Sequence, residues 1–247
     1  MGRISIIIPT FNEASRIEEM IHLLRKKGGE EIIMEIIVAD GGSTDDTVTL
    51  SQQGNARVIL TAGRNRSAQL NAAAAAARGD LLFFVHADSI PPDGYLEDIL
   101  RYDEKGYHAG CFRLQFDWNQ WFLRANAWFT RFNFNAVRFG DQGLYLRRDL
   151  FYSIGGYEER LTLMEDQEII SRIRRKTRFK VIPRYIGTSA RKYQVNGVYK
   201  TQGIFYIIWL LYYLGVSQKN LISLHRKLAK SERPQIDTAH GNHSQDI

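Results

Sequence analysis

The chain has 247 residues, of which 44% are hydrophobic, enough for one large domain or two small ones with a substantial core. Its formal net charge of +6 suits anionic partners such as nucleotides, lipid phosphates or nucleic acid, without choosing among them. The single cysteine, Cys111, excludes a disulfide framework within the chain and favours a reducing compartment.

Strand and helix patterns alternate over the first ninety residues. Short apolar runs predict buried strands at residues 3–10, 35–40, 56–62 and 80–86. Helical patterns lie between them, at residues 13–28, 43–54 and 65–79, and Ser43 is expected to cap the second helix. This rhythm predicts right-handed βαβ units and therefore an α/β fold, with a Rossmann-like, mostly parallel sheet flanked by helices.

The rhythm changes after Asp88. Helices are predicted at residues 95–105, 118–135 and 165–178, and strands at 109–116, at 179–192 with its following loop, and at the start of 143–157. The run 203–216 is 14 residues long, shorter than the ~20 residues that span a bilayer. It predicts either a buried C-terminal helix or, through its tyrosines and Trp209, a helix at a membrane interface.

Polar residues follow each of the first four predicted strands. Ligands of an open parallel sheet bind beyond the carboxyl ends of its strands, so these residues are expected to converge. Asp40 could accept hydrogen bonds from a base or ribose, and Arg64 or Arg66 could offset phosphate charge. His86 and Asp88 lie two residues apart and could reach one divalent cation. Together they could hold a nucleoside diphosphate.

Several common motifs are absent from the sequence. It contains neither G-x-G-x-x-G after the first strand nor G-x-x-x-x-G-K-[ST], so a dinucleotide site and a P-loop are not supported. It has no C-x-x-C pair that would indicate zinc and no G-x-S-x-G elbow.

Four motifs, taken in order, resemble those of the family 2 glycosyltransferases: "SIIIPTFNEASRIEEMI", "IIVADGGSTDDT", "GDLLFFVHADS" and "LMEDQEIISRIRR". Members are inverting enzymes of the glycosyltransferase A fold that use nucleotide-sugar donors. The resemblance covers residues 3 to 195 and is closest to a small bacterial subgroup with His-Ala-Asp in place of Asp-x-Asp. We expect a single domain over residues 1–230, with a nucleotide-binding half at 1–90 and an acceptor-binding half at 91–230 that carries helical and aromatic segments. Residues 231–247 are expected to be a disordered tail.

The resemblance also implies a set of site residues. The nucleotide-binding residues would be Pro9, Thr10, Asn12, Glu13, Asp40, Arg66, Asn71 and Ala87. Asp88, with His86, would hold Mn²⁺ or Mg²⁺ on the diphosphate. The acceptor would face Asp141, Gln142 and Gly143.

Glu165 and Asp166 would be the catalytic pair, with Asp166 as the general base that deprotonates the acceptor hydroxyl. An alternative is that these acids only stabilise the N-terminus of an amphipathic helix.

The predicted function is inverting transfer of a sugar from a nucleotide-sugar, with a UDP-sugar as the expected donor, to a lipid or glycan hydroxyl. Two alternatives remain open at this point: a nucleotidyltransferase of similar fold, and a catalytically silent nucleotide-binding or scaffold protein. The enzyme is expected to be cytoplasmic and to contact the inner face of the plasma membrane through residues 118–134 and 203–216. No nucleic-acid partner is expected, because no recognised binding module is present.

Overall fold

The computed structural model describes residues 3–138 and 140–229. The chain divides between Arg191 and Lys192 into two compact units. The first unit contains an eight-stranded sheet. The tail predicted at 231–247 lies outside the described residues.

The sheet is built from strands of very different length. They are β1 (Ile4–Thr10), β2 (Ile33–Asp40), β3 (Arg57–Leu60), β4 (Leu81–Phe84), β5 (Ser89–Ile90), β6 (Ala109–Phe116), β7 (Leu144–Arg147) and β8 (Phe179–Thr188). Their order across the sheet is β3-β2-β1-β4-β7-β6-β8-β5. The first four pair in parallel, as do β6 and β8, whereas β7 runs antiparallel to both neighbours and β5 antiparallel to β8. The predicted mostly parallel α/β fold is confirmed.

The described part of the first unit contains the helices α1 (Ile17–Gly28), α2 (Thr47–Gln53), α3 (Arg66–Ala76), α4 (Tyr95–Glu104), α5 (Trp121–Phe129), α6 (Arg148–Ser153) and α7 (Glu165–Lys176). Short 3₁₀ turns lie at Asn135–Val137 and Gly140–Gln142. The chain continues through α8 (Arg191–Asn196), α9 (Val198–Tyr213) and α10 (Gln218–Ala229).

The core has two layers because neighbouring side chains of a strand point to opposite faces of the sheet. Ile6 and Ile8 of β1 pack on the face covered by α1 and α4, whereas Ile7 packs on the face covered by α3 and α7. These three side chains are fully buried, and burying each stabilises the fold by about 1.5–3 kcal/mol. Helices on both faces leave the ends of the strands as the place for a site.

Several predicted boundaries differ from those observed. Helix α2 begins at Thr47 rather than Ser43, and the prediction that Ser43 caps it is wrong. The reason is that the Ser43 hydroxyl donates to Asp40 at 2.5 Å instead. Strand β4 ends at Phe84, two residues before His86, and the aromatic stretch is α-helical only within α5.

Within the second unit, α9 packs against α10. Ile204 and Ile208 of α9 are buried, whereas Tyr206, Leu210 and Tyr213 are about half exposed. Among the residues that the structure describes, no helix combines the length and the apolar character needed to cross a bilayer.

Candidate active site

The loop after β1 and the loop after β2 are tied together by side-chain hydrogen bonds. The backbone N–H of Asn12 donates to Ser43 Oγ at 2.8 Å, and the Asn12 side-chain oxygen accepts from the N–H of Thr44 at 2.9 Å. The N–H of Glu13 donates to Thr47 Oγ1 at 2.8 Å. Asn12 has a φ of 54°, a left-handed conformation that asparagine tolerates better than most residues. The two loops therefore form one connected surface at the carboxyl end of the sheet.

Asp40 organises this surface from beneath. Its carboxylate is fully buried and accepts four hydrogen bonds: from Thr10 Oγ1 at 3.0 Å, from the N–H groups of Gly42 and Ser43 at 3.0 and 2.8 Å, and from Ser43 Oγ. Each oxygen has two partners, which fills its acceptor capacity. A contact between Asp40 and a base would require one of these bonds to be exchanged, so that role stays a prediction.

Helix α3 joins other parts of the chain through two amides. Gln69 Nε2 donates to the carbonyls of Thr10 and Ala39 at 2.8 and 2.7 Å, which links the ends of β1 and β2. Asn71 bonds the backbone of Tyr157 in both directions, at 2.9 Å as donor and 2.8 Å as acceptor. The structure thus places Asn71, expected along the donor site, against the segment that follows α6. The linking role of Gln69 was missed, because a glutamine inside a helical run carries no distinguishing pattern.

Arg66, the first residue of α3, is the centre of a charged cluster. Its Nη1 lies 3.2 Å from Glu165 Oε1 and 3.3 Å from Asp166 Oδ2, and its Nη2 lies 3.4 Å from Asp166 Oδ1. The same Nη2 contacts His86 Nε2, and His86 Nδ1 lies 3.7 Å from Asp141 Oδ1. The structure therefore brings together residues predicted separately as nucleotide-binding, metal-binding, catalytic and acceptor-facing.

Burial gives this cluster unusual protonation. Burial, and then the charge of Asp166, raise the pKa of Glu165 to about 7, although Arg66 opposes the shift. Burial and the charge of Arg66 lower the pKa of His86 well below its ordinary value. Burial also lowers the pKa of Arg66, but the charges of Asp166 and Glu165 outweigh that effect and the net shift is upward. At neutral pH Arg66 is charged and His86 is neutral.

The contact with Arg66 also fixes the tautomer of His86. A guanidinium can only donate hydrogen bonds, so His86 Nε2 must accept and the ring proton must lie on Nδ1, on the side of Asp141. In this arrangement Nε2 is engaged by Arg66 and Nδ1 carries the ring proton. A metal-binding role for His86 would require Arg66 to move away, and it stays a prediction.

Two further features show how tightly the cluster is assembled. A Cβ at Gly140 would collide with Asp166 Oδ2 and would lie 2.7 Å from Arg66 Nη2, so only glycine allows this approach. The Nε–H of Arg66 is buried and has no hydrogen-bond partner among the described residues. Such an unsatisfied donor costs about 1–3 kcal/mol. Gly140 is not among the predicted site residues, although it directly precedes Asp141 in the sequence.

A narrow cavity of about 10 Å³, room for about one water, lies between the cluster and the sheet. Its lining includes Pro9, His86, Gly140, Gln142, Gly143 and Asp166. Gln142 is 1% exposed and donates to the carbonyl of Phe112 at 2.8 Å, and Gly143 is buried as well. Of the three residues expected to face the acceptor, only Asp141 has a substantially exposed side chain, at 42%.

Asp88 lies near Glu13 rather than in the Arg66 cluster. Burial raises the pKa of Glu13, Arg16 opposes the shift, and the charge of Asp88 adds to it. Ala87, between His86 and Asp88, is buried. Within residues 3–138 and 140–229, no group of three or more His, Cys, Asp or Glu side chains is arranged to hold a metal ion.

Comparison with known proteins shows which family and which individual proteins this chain is similar to. Residues 5–157 match the sequence model of the family described as "Glycosyl transferase family 2". The succinoglycan biosynthesis protein ExoA of Rhizobium meliloti is 29% identical over 188 residues, which are 68% of this chain and 57% of ExoA. The match thus spans little more than half the length of this curated relative. A shorter match, 43% identical over 60 residues, is to an uncharacterized glycosyltransferase of Rickettsia felis and covers 24% of this chain and 19% of that protein.

Solved structures share the fold at low sequence identity. The mannosyltransferase PcManGT of Pyrobaculum calidifontis, in complex with GDP-Man and Mn²⁺, gives a TM-score of 0.69 at 16% identity over 94% of this chain and 71% of its own. TarS of S. aureus, in complex with UDP-GlcNAc, gives 0.64 at 16% identity over 92% of this chain and 71% of its own. These similarities confirm the fold prediction.

Proposed function

Because this chain belongs to glycosyl transferase family 2, we propose that it transfers a sugar from a nucleotide-sugar to an acceptor hydroxyl with inversion at the anomeric carbon. One observation carries the proposal: the Asp166 carboxylate lines the cavity at the carboxyl end of the sheet, paired with Arg66 and beside the buried Glu165. Family membership favours this reading over the nucleotidyltransferase alternative.

Asp166 is the proposed general base. It accepts the proton of the acceptor hydroxyl while that oxygen attacks the anomeric carbon from the face opposite the leaving nucleoside diphosphate. A positioned base of this kind contributes typically 10²–10⁴-fold to the rate. Asp141, exposed beside the cluster, is the proposed acceptor contact, and Gln142 and Gly143 support it from their buried positions.

The proposed donor site is the surface formed by the loops after β1 and β2. Pro9, Thr10, Asn12 and Glu13 border it, and Asp40 fixes its shape through four hydrogen bonds. A UDP-sugar is the proposed donor. Support from the solved relatives is divided, since one holds UDP-GlcNAc and another holds GDP-Man.

A divalent cation, Mn²⁺ or Mg²⁺, is proposed as the cofactor. Cations bound to nucleotides take one or two protein carboxylates and complete their coordination with phosphate oxygens and water. Asp88 fits this requirement, and its charge contributes to the raised pKa of half-buried Glu13, so the two carboxylates lie near enough to interact. When bound, the cation stabilises the charge that develops on the leaving diphosphate.

Calorimetric titration with UDP, with and without Mn²⁺, tests the donor site and the cation together. We expect UDP to bind in the presence of Mn²⁺ and the binding to be lost in Asp88→Ala. Asp149→Ala is the matched control, because Asp149 is 80% exposed on α6. UDP binding that is independent of Mn²⁺ and survives in Asp88→Ala would contradict the role given to Asp88. If GDP binds and UDP does not, the uridine assignment is wrong.

A peripheral contact with the inner face of the plasma membrane is proposed for the aromatic segment around α5. A groove of about 860 Å³ runs along α5, and its lining includes Trp118, Trp121, Arg124, Trp128, Phe129 and Arg131. Trp121 is 66% exposed and Phe129 is 51% exposed, a composition typical of a membrane interface. We expect sedimentation with anionic phospholipid vesicles that falls at least threefold in the double variant Trp121→Ala/Trp128→Ala. Equal sedimentation of the two proteins would contradict this contact.

A further inference from the structure

Arg66 occupies a different place from the one that its sequence context suggests. A basic residue just after the third strand is expected to face the phosphates of the donor. In the structure, its guanidinium instead makes three contacts of 3.2–3.4 Å with the carboxylates of Glu165 and Asp166. Both ends of the Arg66 fork reach Asp166, one at each carboxylate oxygen.

This geometry fixes the orientation of the Asp166 carboxylate. Two contacts from one planar fork define the plane and the direction of a carboxylate, which a single point charge cannot do. On its other side Asp166 lies against Gly140, where an added Cβ would displace the carboxylate. His86, held by the same Nη2 of Arg66, keeps the guanidinium itself in place.

Charge leads to the same conclusion as geometry. Glu165 and Asp166 are adjacent acids with side chains only 7% and 18% exposed. Two such carboxylates disfavour each other's ionisation, and removing the one cation beside a buried acid is costly. Arg66 is the cation that contacts both of them in the described structure.

We propose that Arg66 is a positioning residue for the general base: its guanidinium holds the Asp166 carboxylate in the orientation that accepts the proton of the acceptor hydroxyl. This inference rests on the proposed glycosyl transfer. It goes beyond that proposal by assigning Arg66 to the base rather than to the nucleotide.

The test separates a base-positioning role from a nucleotide-binding role by comparing turnover with UDP affinity. Turnover is measured as UDP released from a panel of UDP-glucose, UDP-galactose and UDP-GlcNAc, with water as the acceptor, and UDP affinity by calorimetry. We expect Arg66→Gln to lower kcat about 100-fold, while KM and the Kd for UDP stay within threefold. Arg66→Lys keeps the charge but not the two-pronged geometry of the guanidinium. We expect its kcat to be about a tenth of the parent value.

Gly140→Ala provides a second variant that keeps Arg66 and the donor loops in the sequence and instead places a methyl group against the contact between Asp166 and Arg66. Its added methyl displaces the Asp166 carboxylate, so we expect kcat to fall at least tenfold with an unchanged Kd for UDP. Gly203→Ala is the matched control, because a Cβ there meets no atom of the described residues within 4 Å, and it should retain the rate of the parent protein. Thermal unfolding of all variants identifies any loss of activity that comes from misfolding.

The outcomes are distinct. A Kd for UDP that rises tenfold or more in Arg66→Gln, with kcat unchanged, would assign Arg66 to the nucleotide and overturn the proposal. An unchanged kcat in folded Arg66→Gln and Gly140→Ala would also overturn it. A parent protein that neither binds UDP nor releases it from any of the three sugars would instead refute the proposed UDP-sugar transfer itself, and the inference would fall with it.

Discussion

Two polar clusters lie at the same edge of the sheet. They differ in how many of their buried hydrogen-bond donors and acceptors have a partner within the protein. In the cluster around Asp40, every lone pair of the buried carboxylate has a partner within the loops after β1 and β2. In the cluster around Arg66, a buried Nε–H has no partner among the residues that the structure describes, Glu165 has a pKa of about 7, and the pKa of His86 is depressed.

This difference indicates that the Asp40 cluster stabilises the loops, whereas the Arg66 cluster is suited to chemistry. A fully satisfied carboxylate stabilises one loop conformation and has no capacity left for another partner. An under-satisfied cluster with shifted pKa values is costly to the fold, and such clusters concentrate at functional sites. We therefore expect changes in the Asp40 cluster to act mainly on stability, and changes in the Arg66 cluster to act mainly on activity and its pH dependence.

The largest expected effect on stability is at Asp40. Asp40→Ala leaves the buried hydroxyl of Thr10 and the part-buried N–H groups of Gly42 and Ser43 without this acceptor, and we expect it to lower the free energy of unfolding by about 3–5 kcal/mol. Urea denaturation measures the change. Asp46→Ala is the matched control, because Asp46 is exposed in the same loop and makes no capping bond. A loss below about 1 kcal/mol in Asp40→Ala would remove the scaffold role.

The next effect concerns the pH dependence of stability and comes from Glu165. Its pKa is raised by burial from 4.5 when exposed to about 7 in the folded protein. Below about pH 4.5 both states are protonated and there is no penalty. Between about pH 4.5 and pH 7 the unfolded state ionises while the folded state keeps the proton, so stability falls with rising pH, and the loss is complete once the pH has passed 7.

We therefore expect the loss of stability between pH 5 and pH 8 to be smaller in Glu165→Gln than in the parent protein, by roughly 1–3 kcal/mol. Urea denaturation at both pH values measures it, with Glu18→Gln on the exposed face of α1 as the matched control. Identical pH profiles for Glu165→Gln and the parent would show that Glu165 is ionised normally.

The smallest effect is expected at Asn71, whose side chain bonds the backbone of Tyr157 and whose place along the donor stays a prediction. Asn71→Ala removes the bonds to the Tyr157 backbone and should cost about 1–2 kcal/mol of stability, with the Kd for UDP unchanged. Thermal unfolding and calorimetry on the same sample provide both values. A tenfold weaker UDP affinity with unchanged stability would return Asn71 to the donor site.

The fold was predictable because local sequence patterns in the first ninety residues indicate each strand and helix. Ile-rich runs of strand length alternate with helical stripes, and the rule that ligands bind beyond the carboxyl ends of the strands led directly to His86 and Asp88. The rule also placed Asp40 and Arg66 at the correct edge. The identities of the residues at this edge therefore came from pattern and topology together.

The partners of these residues could not be predicted, because they are tertiary contacts across long sequence separations. Arg66 and Asp166 are 100 positions apart, and no sequence pattern around either residue predicts that they are in contact. The misassigned cap at Ser43 has a similar cause, since its hydroxyl can bond a helix N–H or the neighbouring carboxylate, and the buried Asp40 takes it. Local sequence patterns locate the polar groups, and tertiary packing determines which hydrogen-bond partners they have.

The most direct test of the account is UDP release from a UDP-sugar by Asp166→Asn. This variant keeps the size of the side chain and one hydrogen-bond acceptor but removes the base. The account predicts a fall in kcat of about 10²–10⁴-fold, with a Kd for UDP within threefold of the parent value and full activity in the exposed control Asp149→Asn. An Asp166→Asn variant that releases UDP at the parent rate would contradict the assignment of the base.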